Sequence, residues 1–83
     1  MPTYLRILGY CVVIYPHDHR PAHIHVIGPD GRCVFNLNCP SGPLELRSVS
    51  KIPTVLLHRL ANAIEPEIFE LCREWRKIHG AND

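Results

Sequence analysis

The sequence predicts an α+β protein, an antiparallel sheet of three to four strands followed by two helices packed on one face. Three observations carry this. The segment "YLRILGYCVVIY" (4–15) is rich in β-branched and aromatic residues, and the runs "AHIHVIG" (22–28) and "GRCVFNLN" (31–38) alternate on either side of a "GPDG" turn. From residue 53 the period changes, with Leu57, Leu60, Ala61 and Ile64, then Ile68, Leu71, Cys72 and Trp75, recurring at helical spacing.

The elements follow in order. Residues 4–15 are apolar on both parities, which reads as one central strand covered on both faces and ended by Pro16. In the next hairpin, core-facing Ile24 and Val26 opposite Phe35 and Cys33 fix the register around a two-residue loop. The other face then brings His25 opposite Val34 and His23 opposite Asn36. "CPSGP" (39–43) is a turn, and "LELR" (44–47) adds a short edge strand. Pro53 and Pro66 suit the first turns of helices over 53–64 and 66–79, with Gly80 as the terminal cap. A single helix kinked at Pro66 is the alternative.

Composition narrows the function classes. The 83 residues are 46% hydrophobic and 20% charged with a formal net charge of +1, which fits one folded domain spanning 1–83 and excludes a global field drawing the chain to nucleic acid or an anionic membrane. No apolar run approaches the roughly 20 residues of a membrane span. The N-terminus lacks the basic start and small-residue cleavage site of a secretory signal, so a cytoplasmic location is expected. Cys11, Cys33, Cys39 and Cys72 show no C-x-x-C spacing and are read as free thiols in a reducing compartment.

The candidate site is "HDHRPAHIHV" (17–26), which holds four of the six histidines. Residues i and i+2 on a strand point the same way about 6.7 Å apart, close enough for two imidazoles to converge on an ion at about 2.1 Å each. His23 and His25 form that half-site. A zinc-like ion needs a third protein ligand, and His19, His17 or Asp18 in the proline-bracketed loop could supply it. Two other readings stay open: ordinary hydrogen-bonded strand histidines with Asp18 opening an Asx-type turn, and metal-free catalysis or phosphate contact. Asn36 is placed to orient His23. Arg73, Arg76, Lys77 and His79 are read as cations complementing the last helix's dipole, with a nucleic-acid surface as the lesser alternative, and Trp75 is read as core.

"MPT" at the start, "DHRPAHIHV" in the middle, "KIP" opening the helical half and "REW" late in it resemble the small bacterial proteins of domain-of-unknown-function family 4160. The family signature is similar to D-H-x-P-P-H-F-H-V, which Asp18, His19, Pro21, His23, His25 and Val26 match, while Ala22 and Ile24 depart from it. The resemblance favours His19, His23 and His25 as the metal set, since His17 is outside the pattern. Family members commonly carry an acidic residue where this chain has Asn36. The resemblance implies a compact α+β protein encoded beside a second small protein in a toxin–antitoxin-like arrangement, which makes a small protein partner the expected one. A homodimer through an exposed sheet edge is a further expectation. The alternative function is a metal- or histidine-dependent hydrolase acting on RNA or a nucleotide.

Overall fold

What reads as one strand from 4 to 15 is a hairpin in the computed structural model, which describes residues 3–80. Met1 and Pro2 of the opening tripeptide lie outside the described residues. Strand β1 (Thr3–Ile7) turns at Leu8 and Gly9, both at positive φ (52° and 83°), and returns as β2 (Tyr10–Val13) with Ile7 opposite Tyr10. Two residues at positive φ match the twist of a tight hairpin, and Gly9 reaches that region without a Cβ clash. Apolar residues on both parities are thus two strands read as one.

β3 (His23–Ile27) and β4 (Arg32–Asn36) pair in the expected register: His23 with Asn36, Ile24 with Phe35, His25 with Val34 and Val26 with Cys33. β5 (Glu45–Ser50) is longer than the expected edge strand and pairs with β4. The sheet therefore has five strands, not three to four, in the order β1-β2-β3-β4-β5, every pair antiparallel.

The helical half is one C-terminal run in which α1 (Thr54–Ile64) passes through a 3₁₀ turn at Glu65–Glu67 into α2 (Ile68–His79). Pro66 has no N–H to donate to the α-helical ladder, so the run tightens at the proline instead of ending there. Leu60, Ile64, Ile68, Leu71, Cys72 and Trp75 from this run share a core with Val12, Ile14, Ile24, Val26, Cys33, Phe35 and Leu37 from one sheet face. Each fully buried Leu or Ile contributes about 1.5–3 kcal/mol over its exposed state. The same burial pushes the Cys33 thiol up to about 11.

The helical run leaves β5 uncovered, and all six of its residues are exposed. A shift in register between Val34 and Phe35 places Leu46 opposite Phe35 and Val49 opposite Cys33. Both apolar residues of the edge strand therefore lie on the core side of the sheet, yet remain 43% and 45% exposed.

The cysteine expectation is corrected at one pair. Cys39, in the loop after β4, is disulfide-bonded to Cys72 of α2, with the Cα atoms 5.8 Å apart. The 33-residue separation carries no spacing signature, because the fold rather than the local chain brings the thiols together. Cys11 and Cys33 are free. The free-thiol reading therefore holds for Cys11 and Cys33 alone. Among the described residues no helix is long and apolar enough to cross a membrane.

Candidate functional site

His23 and His25 leave β3 on the face opposite Ile24 and Val26, as alternation requires. The segment between β2 and β3 folds back over them. It begins with a tight turn in which Asp18 N–H donates to the carbonyl oxygen of Tyr15 at 3.2 Å, while Tyr15 N–H donates back to Asp18 Oδ2 at 3.4 Å. This reciprocal closure aims the Asp18 carboxylate at the strand. Its Oδ2 lies 3.1 Å from His25 Nε2 and 3.3 Å from His23 Nε2.

The end of α2 closes the other side. The Trp75 and His23 rings lie 5.3 Å apart, and His79 stacks on Trp75. Tyr15 meets His25 edge-on at 4.7 Å. His23 is buried, whereas Asp18 and His25 keep partial access to solvent.

Tautomer logic gives the cluster its chemical direction. His23 Nδ1 lies 2.8 Å from the carbonyl oxygen of Pro21, which can only accept, so the ring nitrogen donates there. In neutral His23 this leaves the Nε2 lone pair facing a carboxylate oxygen. Two acceptors attract only with a cation between them, either a proton or a metal ion. A backbone bond that fixes one nitrogen and aims the other is also how proteins orient metal-binding imidazoles.

The separations fit a metal. A tetrahedral zinc site with bonds of about 2.1 Å has ligand atoms about 3.4 Å apart. Two edges of the Asp18, His23, His25 triangle are already at that separation, and all three ligand atoms lie within 4.8 Å of one another. Asn36, opposite His23, donates from Nδ2 to Glu45 Oε1 at 3.2 Å, which fixes its amide orientation. Its Oδ1 is buried, and no donor among the described residues reaches it. It is thus an acceptor on the same strand face as the triangle.

His17 and His19 are both exposed. The third member of the group is Asp18 rather than His19, because the Tyr15–Asp18 turn directs the carboxylate inward and leaves both neighbouring histidines exposed. Sequence reading placed Trp75 in the core, where it is, but missed that its ring also backs His23. It read His79 as a cation complementing the helix dipole, whereas its ring stacks on Trp75 and its Nε2 reaches the Tyr15 carbonyl. The signal was the i, i+4 spacing of Trp75 and His79, which puts both on one helix face.

A family model described as a domain of unknown function (DUF4160) matches residues 9–76. The chain belongs to the DUF4160 family. The DUF4160 span contains Asp18, His23, His25, Asn36 and Trp75, whereas His79 lies beyond it. No curated protein and no solved structure matches the chain.

Proposed function

We propose that this DUF4160 protein binds a divalent cation of the zinc class through Asp18, His23 and His25, and serves as the metal-holding partner of a second small protein in a toxin–antitoxin-like pair. The observation that carries the metal reading is the single carboxylate oxygen 3.1 and 3.3 Å from two imidazole nitrogens. The buried Asn36 Oδ1 supports it as a further acceptor near the set. The uncovered β5 edge supports a protein partner, since an exposed strand offers unpaired backbone groups to another chain.

Calorimetric titration with zinc, nickel and manganese tests the metal. Uptake of one ion per chain is expected, abolished in His23→Ala and His25→Ala and retained in His19→Ala. Equal uptake by parent and by the His23→Ala, His25→Ala double variant would overturn the reading.

A second reading is favoured by one further observation. A concavity of about 510 Å³ on the open sheet face begins at His25 and Tyr15, directly beside the triangle. Three protein ligands leave a coordination position open, and an ion held there would polarise a phosphoryl oxygen during hydrolysis of RNA or a nucleotide. Expression separates the readings. Growth arrest by the parent but not by His23→Ala supports catalysis, whereas harmless expression with co-purification of the neighbouring gene's product supports the partner role.

A further inference from the structure

We propose that the open face of the sheet binds a nucleotide, with Arg32 and Lys51 holding its phosphate. The helical run packs on the opposite face and only its end reaches round to His23 and Tyr15, so the rows His25, Val34, Ser48 and Ile27, Arg32, Ser50 stay open beyond it. The rows stand about 6.7 Å apart along the strands. The concavity over them continues past Arg32 and Ser50 to a second one bordered by Gly31 and Lys51. A volume of about 510 Å³ lies within the range of small-ligand sites.

Charge decides what the trough accepts. On α2, Arg73 and Lys77 are paired within their own helix, Arg73 with Glu70 at 3.2 Å and Lys77 with Glu74 at 2.9 Å. Arg32 and Lys51 have no ion-pair partner among the described residues, and Asp30 is the single acid bordering the trough. Ser48 and Ser50 add exposed hydroxyls beside the Arg32 fork. A planar guanidinium, an ammonium and hydroxyls on one concave wall match a phosphate's oxygens. Toward His25 the wall turns apolar and aromatic, with Val34 and Tyr15 giving a base a surface to lie on.

The backbone holds the cationic end in place. Lys51 sits at φ 58°, and a Cβ at Gly31 would collide with its carbonyl oxygen, so the β3–β4 turn and the end of β5 are in direct contact. This arrangement does not require the metal, because neither concavity is lined by Asp18 or His23 and Lys51 borders only the one beyond His25.

Titration of the full chain with adenosine monophosphate, adenosine and inorganic phosphate, in chelator and at low salt, tests the assignment. The monophosphate is expected to bind about tenfold more tightly than adenosine, with Arg32→Gln and Lys51→Gln each removing most of that difference. Circular dichroism shows that the variants remain folded. Equal binding of adenosine and its monophosphate, or unchanged binding in Arg32→Gln, would overturn the phosphate assignment; phosphate binding as tightly as the nucleotide would overturn the base surface. Asp18→Ala is expected to lose zinc uptake and keep nucleotide binding. Loss of nucleotide binding in that variant with the fold intact would place the ligand at the metal set instead of in the trough.

Discussion

His79 lies flat against Trp75, ring centroids 3.9 Å apart and planes 27° from parallel, and its Nε2 donates to the carbonyl oxygen of Tyr15 at 3.1 Å. The last turn of the helical run is thereby pinned to the end of β2, where the Asp18 turn begins. His79→Ala is expected to cost about 1–2 kcal/mol in urea unfolding. It should also shift the emission of Trp75, the chain's one tryptophan, to longer wavelength as its buried ring gains access to water. A variant with the parent's stability and emission would show that the stack holds nothing in place.

Asp18 accepts from the Tyr15 backbone and faces both strand histidines through one oxygen. Asp18→Ala is expected to destabilise the metal-free protein by about 1–2 kcal/mol, since the Tyr15 N–H and His25 Nε2 lose their acceptor inside a partly buried cluster. Asp18→Asn preserves shape and removes charge. It should therefore keep more stability than the alanine variant while zinc affinity falls at least about tenfold, which paired denaturation and titration curves would check.

The Cys39–Cys72 bond ties the loop after β4 to α2, one helical turn before Trp75. Closing a loop of this length restricts the unfolded chain by about 3–4 kcal/mol on the chain-entropy account. Reduction, or the Cys39→Ala, Cys72→Ala double variant, is expected to lower the melting temperature. The reduced parent and the double variant should then melt together.

Burial raises the Cys33 thiol to about 11, against 9.0 for an unhindered thiol. Below pH 9 the group is protonated both folded and unfolded, so it contributes no pH dependence. Between pH 9 and 11 the unfolded chain loses the proton and the folded chain keeps it, so stability falls as pH rises. Melting temperatures from pH 8 to 10.5 are expected to decline more steeply for the parent than for Cys33→Ala. Identical slopes would remove Cys33 as the cause.

Gly31→Ala forces a methyl group against the Lys51 carbonyl. A loss of about 1–3 kcal/mol is expected, because both sides of the contact are backbone and yield poorly. Hydrogen exchange should localise the loosening to the β3–β4 turn and the end of β5.

The central hairpin was legible residue by residue, because Ile24, Val26, Cys33 and Phe35 alternate cleanly and one slip would bury both histidines' neighbours on the wrong side. The β1–β2 hairpin was not. Its turn uses Leu8, a residue with no turn preference, inside an otherwise unbroken apolar run, and Gly9 alone marked it. Of β5 only the start was legible, as the edge strand expected over 44–47: its extra residue at the register shift spoils alternation, and no burial pattern disciplines an exposed edge. At the site, strand periodicity paired His23 with His25, but no periodicity governs a loop. Asp18 faces inward because of its turn with Tyr15, a contact that the family resemblance, which favoured His19, does not reveal. The disulfide and the contact of Trp75 with His23 depend on where α2 crosses the sheet, which composition and spacing do not encode.

The meander has a kinetic consequence. Each strand pairs with its neighbour in the chain, so the sheet can zip from short-range contacts without waiting for distant segments to meet. Asp18, His23 and His25 all come from the stretch that assembles with the middle of that sheet, whereas Trp75 and His79 arrive with the final helix. The Asp18, His23 and His25 triangle can therefore form with the sheet, and docking of α2 adds the aromatic backing of His23 as a later, separable layer.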